Sequence, residues 1–423
     1  MAVSSTSSGS LKTGVCLSTD RPDNPYNGQV IYETDTNRTL IYDNSAWVVI
    51  SDPSLLSYSG TGATVTADAM TVAGENVTPY TGRRNVVKNG DMRIAQRYTS
   101  NTHGSGGGSV YWYCDRFRVH NYIWTSGGNV TTSQSTDAPD GFTYSAKWEN
   151  GATGLTFASG GSQFVETRLE GQDVAHLYSL ENISVSFYVK ASTAGTYTLT
   201  VTNGSTRAIQ KKYTISSPNT WEKISITMPM SSGLSSGTWV TDNSTGMIFA
   251  WYFGAASDRI GDDYVDSWDT RGNYHYLTSD SVNLATIGNS SFQITGVQIE
   301  PGDKATPFEH RSYGEELALC QRYYQRNLAD GDDAIASGVM YTSTTGILSY
   351  SFPKMRTAPT ITFVGSGDIV TGGSVTGVSS SAVGASETQL STTQLGVTTS
   401  GLTAGHGVVL RWDTNYFELS AEL

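Results

Sequence analysis

The stretch Ser291-Phe292-Gln293-Ile294-Thr295-Gly296-Val297-Gln298-Ile299-Glu300-Pro301-Gly302 decides the fold, with its continuation Ala305-Thr306-Pro307-Phe308-Glu309 and Glu315-Glu316-Leu317-Ala318-Leu319-Cys320-Gln321-Arg322-Tyr323-Tyr324. Phe292 and Ile294 alternate with polar residues, as a half-buried strand requires. Pro301-Gly302 cannot continue the pairing. Pro307 keeps Thr306 extended. Ser312 or Tyr313-Gly314 then opens a helix with two Glu in its first turn, where they favour the dipole. The reading is strand, stop, bend and short helix.

Composition extends that reading to the whole chain. The 423 residues allow roughly two to four domains. Charged residues make up 15%, against roughly 25% in an average globular protein. Gly (45) and Tyr (24, against 12 Phe) are abundant, which favours many short strands and turns. The net charge is −12 with no Lys/Arg run, so nucleic-acid binding is not expected. Cys16, Cys114 and Cys320 lie far apart and suggest neither a disulfide framework nor a zinc site. No apolar stretch approaches 18 residues and no signal-type segment begins the chain, so no membrane insertion is expected.

Residues 1–50 read as a small β-meander, with strands at Gln29-Glu33, Thr39-Asp43 and Ala46-Ile50 and with Tyr32 and Trp47 inside. A meander this small needs a partner: other copies, a docking surface or the next domain. Residues 51–84, rich in Gly, Ser, Thr and Ala, read as a linker or stalk. Residues 85–310 read as one antiparallel jelly-roll-like β-sandwich. In it Ile183, Val185, Phe187 and Val189 take one face and Ser184, Ser186, Tyr188 and Lys190 the other. Met247 to Phe253 reads as a more fully buried strand. Residues 311–327 read as the connecting helix, with Leu317, Cys320 and Tyr324 on one face. Residues 328–423 read as a second, smaller C-terminal β-sandwich that needs neighbours for its core. The fold class is all-β.

Three phrases carry a resemblance. "GVQIEPGDKATPFEHRSYGEELALCQRYYQR", Asn89-Gly90-Asp91 with Asp115-Arg116-Phe117, and "FPKMRTAPTITF" resemble segments of tailed-phage fibre and minor structural proteins. "GQVIYETDTNRTLIYDNSAWVVIS" is similar to a module at the N-termini of phage structural proteins. Residues 140–309 also resemble carbohydrate-binding modules of the family-4/9 type, through "LENISVSFYVKASTAGTYTLTV", "NTWEKISITMP" and "SSFQITGVQIEPG". The resemblance implies a homotrimer on the virion surface. It also implies attachment to other virion proteins through the N-terminal module, and binding of a host-surface glycan or receptor.

No catalytic set stands out: there is no G-x-S-x-G elbow, H-E-x-x-H, Walker motif or Rossmann fingerprint. One loop gathers Asp258, Asp262, Asp263, Asp266 and Asp269 with Tyr264, Trp268, Tyr274 and His275. Oxygen ligands at this density suit a structural Ca²⁺, with Asp262, Asp263 and Asp266 as candidates; no other cofactor is expected. Sugars stack on aromatic rings while polar groups bond their hydroxyls. On that ground Trp268 and Tyr264 are expected to be exposed ligand-binding residues, with Asp266 and Asp269 beside them and Trp112 and Trp124 elsewhere. Trp251 sits in a strand-like run and reads as core. The leading reading is a non-enzymatic tail fibre. The alternatives are a head-fibre, neck or baseplate decoration protein without receptor binding and, more remotely, a glycan depolymerase.

Overall fold

The computed structural model describes residues 14–51, 70–72, 75–77, 83–104, 109–204, 206–230, 237–262, 265–270, 275–328, 333–372, 374–412 and 416–423. The chain divides into two compact units, Met1–Tyr80 and Thr81–Leu423.

In the first unit, β1 (Gly14–Cys16), β2 (Val30–Glu33), β3 (Arg38–Tyr42) and β4 (Trp47–Ser51) form a sheet in that order. β1, which sequence reading missed, pairs parallel to β2. The turns hold Asn37 and Asn44 at φ 55° and 78°, a region Asn tolerates. Ile31 and Leu40 face each other across β2 and β3 and are the buried apolar pair. Tyr32 is one residue out of phase with Ile31 and therefore points away; it and Trp47 are only half-buried, correcting the expected interior. Glu33 shares the face of Ile31, fully buried, and accepts from Arg21 Nε at 2.5 Å and Thr36 Oγ1 at 2.6 Å. Most of the expected 51–84 linker lies outside the described residues; β5 (Met70–Val72) and β6 (Glu75–Val77) form a hairpin there.

The second unit is dominated by a sandwich of antiparallel strands. These are β7 (Ser100–His103), β8 (Ser109–Cys114), β9 (Phe117–Ser126), β10 (Val130–Ser135), β11 (Ser145–Asn150), β12 (Thr156–Glu170), β13 (Asn182–Ala191), β14 (Gly195–Thr202), β15 (Arg207–Ile215), β16 (Glu222–Pro229), β17 (Thr245–Ala255), β18 (Asp269–Thr270) and β19 (Ser291–Pro301). One sheet runs β16-β13-β19-β11-β10-β7 and the other β18-β15-β14-β17-β12-β9-β8. Their inner faces share one core. Ile183, Val185, Phe187 and Val189 all point into it, as the alternation predicts, against Tyr197, Leu199, Val201, Phe249 and Trp251 from the facing sheet. Phe253 packs between Trp148 and Phe292, with ring centroids 4.8 and 4.9 Å away. Burying each such side chain is worth about 1.5–3 kcal/mol.

The opening motif closes this sandwich. The outward side chains of β19 catch the chain as it returns: Gln298 Oε1 accepts from Glu309 N at 2.8 Å, and Glu300 Oε1 accepts from Thr306 N at 2.7 Å. Asn85 Oδ1 accepts from Ile299 N at 3.1 Å, pinning the entering segment beside the same strand. Gly90 is required there, because a Cβ would lie 2.2 Å from the Val297 carbonyl oxygen. Helix α2 (Tyr313–Gln321) follows a short helix α1 (Gly171–Val174) in the chain and is capped by Ser312, whose side chain accepts from Glu315 N at 3.3 Å. It ends at Gln321, six residues before the expected 327, because Tyr324 starts a strand.

The remaining strands are β20 (Tyr324–Leu328), β21 (Asp333–Met340), β22 (Thr345–Ser351), β23 (Thr360–Val364), β24 (Ser366–Thr371), β25 (Ser374–Ser379), β26 (Val383–Ser386), β27 (Thr392–Thr398), β28 (Gly407–Trp412) and β29 (Tyr416–Ser420). They make a sheet β20-β29-β23 and a sheet β25-β24-β28-β21-β22-β27-β26. Ile369, Leu395, Leu410 and Trp412 are fully buried within this single chain. The expectation that this region needs neighbours for its core is thereby corrected. Glu422 ties the C-terminal end to the sandwich, paired with Arg116 and, at 3.1 Å, with Arg97.

Candidate functional site

Strand register sets the site. Across the outer face of the seven-stranded sheet, one row reads Gln210, Thr200, Ala250, Glu166 and Arg118. The adjacent row reads Lys212, Thr198, Tyr252, Phe164 and His120. A third places Ile248 opposite Arg168. These positions face outward because Val165, Leu169, Phe249, Trp251 and Phe253, one step out of phase, fill the core.

The second row is a run of stacked rings. His120 lies on Phe164 at 4.4 Å with planes 10° apart, Phe164 meets Tyr252 at 4.4 Å, and Tyr252 stacks on Tyr276 at 4.9 Å and 4°. Tyr276 comes from the segment after β17, which borders the face on that side. There Thr198 Oγ1 and Ser281 Oγ lie 2.8 Å apart, and Gln210 Nε2 donates to the His275 carbonyl at 3.1 Å. Ala250, between Tyr252 and Ile248, is buried and packs with Phe164, Tyr252, Ala255 and Leu277 in a second apolar cluster. Beside it, Thr200 Oγ1 and Gln210 Oε1 are buried with no hydrogen-bond partner among the described residues.

Glu166 is the electrostatic centre. Its Oε1 accepts from Arg118, from Arg168 Nε at 2.9 Å and lies 3.1 Å from His120 Nε2. Burial pushes its carboxyl up, but the His120 hydrogen bond and the charges of His120, Arg118 and Arg168 overcome this and hold it well below the usual carboxylate range. The group stays ionised and offers no proton near neutral pH.

The residues expected from sequence are placed differently. Trp268 is buried at 5% exposure; its Nε1 donates to the Pro229 carbonyl at 2.5 Å, and its ring meets Trp239 edge-on at 5.3 Å. It is a core residue rather than an exposed stacking platform. Asp266 pairs with Lys211 at 2.7 Å and Asp269 approaches Arg207 at 4.0 Å. Asp262 accepts from Ser279 and lies 3.6 Å from Lys212. Each described carboxylate of the acidic run thus has its own cation or hydroxyl, and among the described residues no three His, Cys, Asp or Glu side chains converge as a metal site. Asp263, the third member of the calcium grouping, and Tyr264 lie outside the described residues. Trp112 and Trp124 fall in β8 and β9, and their side chains lie outside the described set. Trp251 is core, as expected.

Sequence reading missed His120, Glu166, Arg168, Tyr252 and Tyr276. One signal was present: in Phe164-Val165-Glu166-Thr167-Arg168-Leu169 the outward positions are Phe, Glu and Arg, not the Ser and Thr of neighbouring strands.

No family model and no curated protein matches the sequence. Among solved structures, the chain is similar to a Bacteroides thetaiotaomicron protein described as sugar-binding, at 11% identity over 52% of this chain and 100% of that one, with a TM-score of 0.30. It is also similar to the xylan-binding CBM22-1 domain of Xyn10C from Paenibacillus barcinonensis, at 12% identity over 48% of this chain and 100% of that one, with a TM-score of 0.21. A botulinum neurotoxin serotype D/C binding domain shows 10% identity over 78% of this chain and 95% of that one, with a TM-score of 0.21. These scores are too low to carry weight, and fold and site rest on the strands and residues described above.

Proposed function

We propose that the chain is a non-catalytic glycan-binding protein displayed on a tailed-phage particle as a homotrimeric fibre component. The binding reading is supported by the resemblance of residues 140–309 to carbohydrate-binding modules of the family-4/9 type. The rings at the two ends of the stacked row, His120 and Tyr276, are the residues assigned to it, since Phe164 and Tyr252 between them are buried. A pyranose offers C–H faces to such rings. The particle reading is supported by the resemblance of the phrases around Asn89, Gly90, Gln298, Glu300 and Glu316 to phage structural proteins. Residues 1–50 are assigned to attachment to other virion proteins.

The test is binding of the labelled full chain to bacterial cells and to an array of their surface polysaccharides, with His120→Ala and Tyr276→Ala to remove the rings at the two ends of the row. Each substitution should weaken binding at least tenfold, while light scattering gives three chains per particle of the parent. Undiminished binding by both variants would remove the site from the proposal. Absence of any binding, with the chain still built into virions, would favour a decoration protein.

A further inference from the structure

We infer that copies of this chain meet through the outer face of the C-terminal sheet β25-β24-β28-β21-β22-β27-β26. The inference rests on the homotrimer in the reading above and names its contact surface. Register lines up one outward row from Val375 on β25 through Val370, Val409, Ser337 and Ser349 to Gln394 on β27. The next row holds Val339 and Ile347, followed by Gly396 and Gly384. These residues face outward because Ile369, Leu410, Leu348 and Leu395, one step out of phase, fill the core. Val375 is 59% and Val339 41% exposed, and Val370, Val409 and Ile347 are half-buried. Strand β16 of the large sandwich shows what a wet face of this protein carries: its exposed positions are Lys223, Ser225 and Thr227. Valines at the same kind of position mark a surface that another molecule covers.

Charge selects the occupant. The chain carries a net −12, so two copies repel over most of their surfaces. Neither of the two rows holds a charged side chain, and in the row beyond Val370 and Val409 the opposite charges Asp368 and Arg411 stand across from each other. Here copies come together without setting like charges side by side. A different partner suited to an acidic chain would be held by basic groups against acids, which these rows do not offer. The area fits as well. Seven strands about 4.8 Å apart, with about six residues of about 3.3 Å each, make a face of about 600 Å², against about 800 Å² buried per partner in a standard interface. The two halves of the face differ. The β25 side is apolar, and the β27 side dips into a hollow of about 340 Å³ lined by Ser337, Ile347, Ser349 and Gln394, with Glu387 also in its wall. A ring of three needs two unlike patches on each copy, whereas a two-fold pair needs one patch that meets itself. The face supplies the unlike pair: the Val375 side of one copy seats on the Gln394 side of the next.

The test is light scattering and sedimentation equilibrium of the full chain, with urea unfolding of each variant followed by tryptophan fluorescence. The parent should give three chains per particle. Val370→Glu with Val375→Glu places two carboxylates in the contact and should lower the assembly constant about a hundredfold or more, leaving single chains that unfold at the parent's urea midpoint. Adding Gln394→Lys to that double variant should restore assembly, because the new cation meets the new acids of the next copy, and a misfolded chain would not be rescued this way. Three chains per particle in the double variant would overturn this face and leave the homotrimer standing. Single chains that Gln394→Lys does not bring back would overturn the seating of Val375 on Gln394. A parent of single chains would overturn the face and the homotrimer together, while its retained binding to cells would keep the glycan reading. If such a parent binds another purified virion protein, and Val375→Glu abolishes that binding, the face belongs to that protein and the inference falls.

Discussion

Replacing Glu166 by Gln keeps the shape and an acceptor but removes the one negative charge between Arg118 and Arg168. In the parent, Glu166 is buried, with its side chain 4% exposed and that of Arg118 11% exposed. Removing one partner of a buried ion pair costs about 3–5 kcal/mol, because the remaining charge stays desolvated. Arg168 is 26% and His120 17% exposed, so water offsets part of the loss and the lower end, about 3 kcal/mol, is expected. At roughly 2 °C per kcal/mol for a unit of this size, Tm should fall by about 6 °C at pH 7. The pH dependence gives a sharper check. The folded carboxyl titrates below its unfolded value of about 4.3, so its contribution is complete above that pH and is lost as pH falls toward the folded value. The stability gap between parent and Glu166→Gln should therefore narrow by about 1.4 kcal/mol for each pH unit below about 4.3. Urea unfolding followed by tryptophan fluorescence at pH 7, 5 and 3 measures it. A gap constant over that range, or a variant within about 1 °C of the parent at pH 7, would refute the account of Glu166 as an ionised hub.

Further outcomes can be checked with the same assay. Gly90→Ala drives a Cβ into the Val297 carbonyl, so it should cost about 3 kcal/mol or more by opening the Val297 N–Gly90 O bond of 2.9 Å. Trp268→Ala should destabilise by about 3–5 kcal/mol as a cavity in the core, and the folded fraction should bind glycan like the parent, since the ring is not part of the stacked row. Chelation with EDTA, or addition of millimolar Ca²⁺, should leave Tm unchanged, because Asp262 and Asp266 are each served by a lysine; a rise of several degrees with Ca²⁺ would restore the metal reading. Glu422→Gln should lower the unfolding free energy by about 1–3 kcal/mol through the loss of its pairs with Arg116 and Arg97.

Much of the sandwich was legible because its two faces differ chemically. Ile183, Val185, Phe187 and Val189 alternate with Ser184, Ser186, Tyr188 and Lys190, and the inward set is buried as read. The 291–324 segment was legible for another reason: Pro301, Gly302 and Pro307 restrict the backbone, so few paths remain. Less legible were features made by pairs distant in sequence. Nothing local to Gly14–Cys16 announces a parallel partner seventeen residues on. Trp268 sits in a polar, acidic loop, and only the tertiary fold brings Pro229 and Trp239 to it. The C-terminal Gly/Ser/Thr stretch looked too poor in apolar residues to close a core, yet its few large ones, Leu395, Leu410 and Trp412, are brought to one place.

The outer face of the seven-stranded sheet shows why this part was the hardest to read. Periodicity reports which side of a strand a residue faces, but not what that side meets. In Met247-Ile248-Phe249-Ala250-Trp251-Tyr252-Phe253 both sides are apolar, which is the pattern of a strand covered on both faces. One side is indeed the inter-sheet core. The other side holds Ile248, Ala250 and Tyr252, and Ala250 and Tyr252 pack with Phe164, Ala255 and Leu277 into a second buried cluster under the segment that carries Tyr276. Aromatic rings in loops, the cue that favoured Trp268 and Tyr264, are a weaker guide than polar side chains placed at outward positions of central strands.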